Sequence, residues 1–459
     1  MREMKKANMI SRREFVQLSA AFGMLTGLGK FNLASASASV PLTDYKALVC
    51  LFMFGGNDGH NMVVPLGGPQ YTAYQQARGA LALPPNQLLG INDATQGQFG
   101  LHYAMPDLQT LYNQGRLAVM ANVGMLVKPT HYSDLSNPAF PLPLNLRSHS
   151  DQVVEMQMGD PSAGGNTGWG GRALDQMQTN NAGTNFPVSI SLNSPALFCT
   201  GSVVQGTSLQ AGNYFDQGAM SVYPPAAAQA RAAAQQQIIS GDSGNSIINA
   251  ANKVFGNALT LNPLLKGAAG AIAFNKPFPQ TAIGDQLKEI ARIISLNAQL
   301  GVGRQVFFCS LGGFDTHGGQ SYQQWDLLQQ VSKALDAFYA ATTQLQVANQ
   351  VTAFTLSDFG RTLQPSGTGS DHGWGNHHLI LGGAVSGGRI YGTYPLMTNY
   401  ANFNATNSDY ADNRGVMLPN TSLAQYGATL AKWFGSLDLL GLFPELQYYS
   451  GQEDVGFMS

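Results

Sequence analysis

The sequence ALVCLFMFGGNDGHN, from Ala47 to Asn61, joins a wholly apolar run to a glycine-rich polar loop. Eight consecutive apolar residues, Ala47–Phe54, suit a β-strand that is buried on both faces, as strands of a parallel sheet are. Similar apolar runs recur along the chain, and we predict further strands over Leu117–Val123, Pro187–Leu192, Gln305–Leu311 and Val351–Leu356. Their alternation with helical stretches predicts an α/β fold with a mostly parallel central sheet flanked by helices.

Helices are expected where apolar residues recur at helical spacing or where alanine and glutamine dominate. We predict them over Ala226–Ile239, Asp285–Leu300, Gln323–Asn349 and Thr421–Phe434. The first has little apolar face, which indicates a surface helix or part of an insertion. Because no repeat or obvious linker follows the N-terminal segment, we predict one domain with insertions over residues 39–459.

The first 38 residues have the features of an export signal. Arg12 and Arg13 follow a basic start and precede the weakly apolar segment Val16–Leu33, and residues 34–38 offer small-residue cleavage sites. Paired arginines in this setting indicate the twin-arginine route. We therefore expect removal of residues 1–38, a transient contact with the twin-arginine translocase, and a periplasmic or secreted mature protein. The alternative interpretation is a chance basic N-terminus.

Charge and hydropathy exclude two classes of partner. The chain has 24 basic and 26 acidic residues; without the six basic and two acidic residues of the signal, 18 and 24 remain, a formal charge of −6. No basic stripe is left to neutralise phosphates, so we expect no nucleic-acid binding. No apolar run after the signal approaches the ~20 residues of a membrane span, so we expect no membrane anchor after cleavage. Three cysteines cannot all pair, and a disulfide scaffold is not expected.

Carboxylates follow three of the predicted strands. Asp58 lies in GGNDGHN, Asp315 in GGFDTHGG and Asp358 in SDFGRT, and the histidine-rich segment DHGWGNHH begins at Asp371. Ligands of open α/β sheets bind beyond the carboxyl ends of the strands. Carboxylate and imidazole groups together suit a divalent metal, Zn or Mn, or Ca or Mg if oxygen ligands dominate. The structural alternative is that each motif only forms a tight turn.

The ordered set GGNDGHN, RSHSD, GGFDTHGG, SDFGRT and DHGWGNHHLILGGAV resembles the twin-arginine-exported family known as domain of unknown function fifteen-oh-one. The resemblance extends over nearly the whole mature chain, and DHGWGNHH is its most specific part. It implies membership of the alkaline phosphatase and sulfatase superfamily. An alkaline phosphatase-like fold is then expected, with metals at the strand ends.

The resemblance also implies metal ligands. Asp58 and Asp358 match positions that hold one metal, and Asp315 and His317 match those that hold the second. His372 matches a last metal-binding histidine that precedes a hydrophobic strand ending in glycine. Two departures stand out. Asp315 and His317 are two positions apart instead of the usual four, and Phe359 stands where a histidine is expected. One metal is then lost, replaced by Ca or Mg, or rescued by a different histidine, for which the two candidates are His60 and His377.

Ser148, in RSHSD, is the best match to the superfamily nucleophile at a helix N-terminus, where free N–H groups favour an anionic ester. Its neighbours His149 and Ser150 are alternatives for that role, and Ser148 as a plain N-cap is the structural alternative. Arg361 is expected either to grip an anionic substrate or to pair with a nearby carboxylate.

Other polar and aromatic residues of the motifs have two interpretations each. Trp169 and Trp374 are expected either to wall a pocket or to pack in the core. His377 and His378 are expected at the start of a strand.

These residues support an exported, metal-dependent hydrolase of phosphate or sulfate esters with a small anionic substrate. The alternative is a non-catalytic alkaline phosphatase-like protein that binds an envelope or glycan partner, which the two departures favour. A third possibility is a role in a secreted assembly, because low charge and Gly/Asn-rich loops suit surface contact.

Overall fold

The computed structural model of the protein describes residues 44–459, except residues 163, 185, 213–223, 402–408 and part of 246–271. The expected export signal, residues 1–38, lies outside the described residues. By their internal contacts the described residues divide into two units, those within 33–212 and 272–459, and those within 213–271. The single domain over 39–459 stays a prediction.

The strands of the described residues form two sheets. They are β1 Lys46–Met53, β2 Val63–Pro65, β3 Leu88–Asp93, β4 Gly97–His102, β5 Leu117–Gly124, β6 Ser189–Leu192, β7 Thr207–Leu209, β8 Arg304–Leu311, β9 Val351–Ser357, β10 Asn376–Gly382, β11 Ile390–Tyr391 and β12 Thr421–Ser422. All five predicted strands are confirmed, with bounds shifted by one or two residues.

The helices of the described residues are α1 Gly59–Met62, α2 Gly68–Arg78, α3 Pro106–Asn113, α4 His149–Met158, α5 Trp169–Asp175, α6 Pro225–Ser240, α7 Ala282–Ser295, α8 Asn297–Leu300, α9 Gln320–Gln344, α10 Met397–Ala401, α11 Leu423–Phe434 and α12 Leu439–Leu442. All four predicted helices are found, but their bounds shift by up to five residues, and the helix predicted over Asp285–Leu300 is divided into α7 and α8. α6 has no buried residue, in agreement with the surface helix expected there. The helix predicted from Thr421 begins two residues later, because Ser422 caps α11: its hydroxyl accepts a hydrogen bond from the N–H of Gln425.

The central sheet has the order β11–β5–β10–β9–β1–β8–β6–β7, with β12 paired to β5. β10 runs antiparallel to β5 and β9, and the other pairs are parallel. The predicted mostly parallel sheet flanked by helices is confirmed. Strand β1 lies between β8 and β9, and Met53 at its end is level with Leu311 and Ser357. Three loops therefore leave the sheet at the same edge. A separate antiparallel sheet has the order β2–β4–β3.

Both faces of β1 are buried, as its sequence predicts. Leu48, Cys50 and Phe52 belong to a core cluster with residues of α5 and α11, and the alternate residues of β1 are equally buried on the opposite face. On that side α7 and α9 pack against each other and contact β8 and β10 respectively. The three cysteines are buried and unpaired, so no disulfide contributes to stability.

Glu155 in α4 is fully buried. It accepts a hydrogen bond from Gln152, while its Oε1 atom has no partner. Burial raises the pKa of Glu155 to about 8. The folded state therefore binds a proton that the unfolded chain, with a carboxyl pKa of ~4.3, has released. The protein loses stability as the pH rises between these two values, by at most about 1.4 kcal/mol per pH unit.

We predict that Glu155→Gln, which stays neutral, raises the thermal midpoint, and that its advantage over the wild type grows between pH 5 and pH 8. Differential scanning calorimetry over that range measures the effect. The surface variant Glu453→Gln serves as the control, since its carboxyl pKa is lowered and not raised. An advantage of the Glu155 variant that does not change with pH would contradict the prediction.

Candidate metal centre

The loops that follow β1, β8 and β9 meet at one edge of the sheet. Gly55 has φ +113°, and a Cβ atom there would collide with the backbone of Asp315. Gly56 has φ +81°, and its Cβ atom would lie 2.7 Å from the Phe359 ring. The backbone N–H of Gly55 donates to Oδ1 of Asp358 at 3.0 Å. The two glycines thus provide both the left-handed backbone and the close approach that this junction needs.

A fourth segment reaches the same edge at the start of α4. Asn145 and Arg147 have φ values of +47° and +72°, which residues other than glycine rarely adopt. The turn that they form directs His149, the first residue of α4, toward the strand ends. Nδ1 of His149 lies 2.6 Å from Oδ2 of Asp358, and the carbonyl of Arg147 lies 2.8 Å from Nδ1 of His372.

Three ligand atoms converge here. Nε2 of His149 lies 3.1 Å from Nε2 of His372 and 3.5 Å from Oδ1 of Asp315, and the last two atoms are 3.3 Å apart. Ligands of a tetrahedral Zn²⁺ at ~2.0–2.1 Å are separated by about 3.3 Å. The triangle therefore has the dimensions of one face of such a coordination shell, and these three residues are the group among the described residues that is able to hold a metal ion.

The hydrogen-bond partners of the two rings determine which nitrogens carry protons. The Asp358 carboxylate and the Arg147 carbonyl only accept hydrogen bonds, so the Nδ1 atoms of His149 and His372 are the donors. In neutral rings, both Nε2 atoms then present lone pairs to each other and to the carboxylate oxygen of Asp315. Such an arrangement is repulsive unless a proton or a cation lies between the atoms, and a set of two imidazole nitrogens and one carboxylate oxygen fits a divalent metal.

His317 adjoins this triangle. Its Nε2 atom lies 2.9 Å from Oδ1 of Asp315 and 2.9 Å from Nε2 of His372. Its Nδ1 atom lies 3.2 Å from Oδ1 of Asp371. The other oxygen of Asp371, Oδ2, lies 2.5 Å from Nη2 of Arg414. Each of the three imidazoles therefore has an acceptor for its Nδ1–H, an arrangement typical of histidines that bind metals.

Arg361 forms an ion pair with Asp315. Its fully buried guanidinium donates from Nη1 to Asp315 at 2.8 Å and from Nη2 to the carbonyl of Ser370 at 2.6 Å. Of the two expectations for Arg361, the structure shows the pairing with a carboxylate. Burial raises the pKa of Asp315, but the hydrogen bond and charge of Arg361, together with His317 and His149, outweigh it, so the pKa is lowered.

The two histidines of the triangle differ in basicity. The hydrogen bond to Asp358 raises the pKa of His149, against the lowering effect of burial. The pKa of His372 is lowered, because the effect of burial is larger than the raising effect of the Arg147 carbonyl. Asp358 therefore makes His149 the more basic ligand.

Asp58 lies outside the triangle. Its buried carboxylate pairs with the buried guanidinium of Arg78, accepts a hydrogen bond from Gln320, and accepts a third from the N–H of His60 at 3.1 Å. Asp58 thus has an internal cation as its partner. Of the five expected metal residues, the structure brings Asp315, His317 and His372 into contact, connects Asp358 to them through His149, and places Asp58 with Arg78.

Ser148 occupies the N-cap position of α4, but its side chain makes no capping hydrogen bond. The hydroxyl instead donates to Oδ2 of Asp151 at 2.6 Å and lies 3.0 Å from Oγ of Ser150. The hydroxyl is therefore free of the backbone N–H groups of the first turn, and it belongs to the residue directly before a metal-site histidine.

The sequence predicts His149, the histidine that completes the triangle, only as an alternative nucleophile. The signal that could have identified it is RSHSD, a conformationally restricted turn that ends in histidine. The rescue by His60 or His377 is not what the structure shows. His60 is buried against the carbonyl of Gly415, and His377 lies in β10, where its Nδ1 atom accepts the N–H of Asn122.

The two tryptophans pack in the core and do not line this site. Trp169 is fully buried and Trp374 is 3% exposed. Of their two expected roles, packing is observed.

The family described as "Protein of unknown function (DUF1501)" matches residues 45–410. No curated protein sequence matches the chain. Solved structures with some similarity include the C-terminal periplasmic domain of EcEptC from Escherichia coli in complex with Zn, at 10% identity over 87% of this chain and 84% of that chain, with a TM-score of 0.35. They also include the PsFucS1 sulfatase from Pseudoalteromonas sp., at 11% identity over 86% and 68% of the two chains, with a TM-score of 0.34.

TM-scores this low carry no conclusion about function. The family match extends over most of the sequence and includes each of the strand-end motifs. The chain belongs to the DUF1501 family.

Proposed function

We propose that this protein is an exported, divalent-metal-dependent hydrolase of phosphate or sulfate esters. The observation that carries the proposal is the convergence of two imidazole nitrogens and one carboxylate oxygen at tetrahedral spacing. A catalytic zinc site typically has three protein ligands and keeps a further position open for water or substrate.

The donor set favours Zn or Mn. Imidazole nitrogens suit Zn and a carboxylate oxygen suits Mn, whereas Ca and Mg prefer oxygen ligands throughout. A bound ion of this kind would polarise a phosphoryl or sulfuryl oxygen and neutralise charge that develops on it. His149, His372 and Asp315 would hold the ion, and His317 is close enough to serve as a further ligand or as a proton donor to the leaving group.

Ser148 is the proposed nucleophile. Its hydroxyl already donates to Asp151, so this carboxylate is placed to accept the proton when Oγ attacks the ester. Ser148 precedes His149 directly, which ties the nucleophile and one metal ligand to the same turn of backbone. Arg361 contributes by holding Asp315 in place and has no donor directed at solvent, since its guanidinium is fully buried.

Export by the twin-arginine route and a periplasmic or secreted location belong to the same proposal, and they rest on the sequence of residues 1–38. Within the described residues, no helix is both long enough and apolar enough to cross a membrane. The substrate would be a small anionic ester.

A non-catalytic binding protein is the second candidate. Phe359 favours it, because this buried ring packs on His149 and His372 with centroids 4.7 Å and 4.8 Å away, at a place where the resemblance implies another metal ligand. The activity measurements below separate the two candidates.

We predict that the purified protein holds one tightly bound Zn or Mn and that His149→Ala loses it, because one corner of the triangle is removed. Inductively coupled plasma mass spectrometry measures the metal per chain. The control His131→Ala changes an exposed histidine that precedes the helical turn Tyr132–Ser136 and is not part of the triangle, so this variant should keep the metal. Full retention of metal by the His149 variant would refute the assignment.

We predict that Asp358→Asn weakens metal binding by about 10–100-fold. Asp358 accepts from both Gly55 N–H and His149 Nδ1–H, and an amide is able to accept only at its oxygen. In the variant, either the amide N–H group of the asparagine faces another N–H donor, or His149 changes tautomer and carries its proton on Nε2. Competition titration with a metal indicator gives the dissociation constant, and the exposed α7 variant Asp285→Asn is the control. An unchanged constant would show that Asp358 does not orient His149.

We predict turnover of aryl phosphate, phosphodiester or sulfate substrates that is abolished by chelation and restored by Zn or Mn. Ser148→Ala should lower kcat at least 100-fold with an unchanged metal content, because it removes the nucleophile and no ligand. Ser150→Ala, two residues away in the same hydroxyl cluster, should stay within about threefold. A metal-loaded protein that turns over none of these esters would support the binding-only candidate.

A further inference from the structure

We propose that Arg147 and Arg414 bind a second anionic group of the ligand, so that the preferred substrates are esters with another negative charge near the scissile group. This inference rests on the metal centre of the proposed function and adds a substrate class to it.

Arg147 is attached directly to the metal site. Its carbonyl accepts the Nδ1–H of His372, and the next two residues are the proposed nucleophile and a metal ligand. Its side chain is 42% exposed and pairs through Nη2 with Asp412 at 2.8 Å. The backbone of Arg147 is in the left-handed region at φ +72°, so the fold maintains an unfavourable conformation at this position.

Arg414 approaches the same site from another loop. Its side chain is 40% exposed, and its Nη2 atom lies 2.5 Å from Oδ2 of Asp371. The other oxygen of Asp371 lies 3.2 Å from Nδ1 of His317, and His372 is the next residue in the chain. One carboxylate therefore separates the Arg414 guanidinium from the imidazoles of the metal site.

Asp412 connects the two arginines. Its Oδ2 atom accepts from Arg147 and its Oδ1 atom accepts from the backbone N–H of Arg414 at 3.0 Å. Asp412 thus links the Arg147 guanidinium to the backbone of Arg414, whose own guanidinium pairs with Asp371, the neighbour of His372 in the chain. We call Arg147 and Arg414 the arginine rim.

Each guanidinium of the arginine rim has N–H donors that its described contacts do not use. A guanidinium has five N–H donors, and the contacts described for each side chain use one amino group, Nη2. The two side chains are 42% and 40% exposed. Arg361, by contrast, is fully buried and occupied with Asp315. If the ion holds one anionic group, the rim is the cationic surface that is left for another, and planar guanidinium groups match carboxylate, sulfate and phosphate oxygens.

The test measures binding without turnover. Isothermal titration calorimetry on the zinc-loaded protein compares phenylphosphonate, which has one anionic group, with 4-carboxyphenylphosphonate, which has two. We expect the wild type to bind the second compound at least tenfold more tightly. Arg147→Ala with Arg414→Ala should remove this preference while phenylphosphonate affinity and zinc content stay within threefold. Arg147→Lys with Arg414→Lys should restore part of it, because the charge returns without the planar fork.

Arg116→Ala is the matched control, since this exposed arginine contacts Gly383 on a different part of the chain and should leave both affinities unchanged. Equal loss of both phosphonates, loss of zinc, or no change in the double alanine variant would each overturn the assignment of the rim. Absence of ester turnover would overturn the proposed hydrolase and leave the binding comparison intact, so the two failures are distinguishable.

Discussion

Electrostatic repulsion within the triangle of His149, His372 and Asp315 is the constraint on which the rest of the site depends. Two lone-pair nitrogens and a carboxylate oxygen lie within 3.5 Å of one another. Such a cluster exists only if surrounding groups prevent the side chains from rotating away. Asp358 and the Arg147 carbonyl do so by occupying the opposite nitrogens of the rings, and Arg361 does so by binding the carboxylate. A divalent cation would turn this repulsion into attraction.

Buried charge elsewhere near the sheet edge is neutralised within the protein. Asp58 and Arg78 form a fully buried pair, and Gln320 bonds both to Asp58 and, through its carbonyl, to the hydroxyl of Ser370. The carbonyl of Ser370 accepts from Arg361. A continuous set of hydrogen bonds therefore runs from the Asp58 pair to the candidate metal centre. Buried polar networks of this kind are costly when broken, because the remaining members are left without partners.

Phe359 and His149 show how an imidazole can reach the sheet edge from an unexpected part of the chain. Phe359 follows Asp358 at the position where a metal-binding histidine is expected, and it packs against the rings of His149 and His372. The imidazole that bonds to Asp358 comes instead from the start of α4. The sequence indicates a lost metal ligand at Phe359. In the structure, His149, which lies some two hundred residues earlier in the chain, packs against this ring.

The sequence by itself determined the α/β class, the strands and the edge at which the site lies. Apolar runs such as Ala47–Phe54 have one stable environment, between two layers of helices, and parallel strands place the residues that follow them at a common edge. Asp315, Asp358 and His372 could be assigned to that edge for this reason. Side-chain pairing was decided by the tertiary structure, since charges are matched across distant segments. Only the folded chain shows that Asp58 pairs with Arg78, that Arg361 pairs with Asp315, and that a left-handed turn directs His149 into the centre.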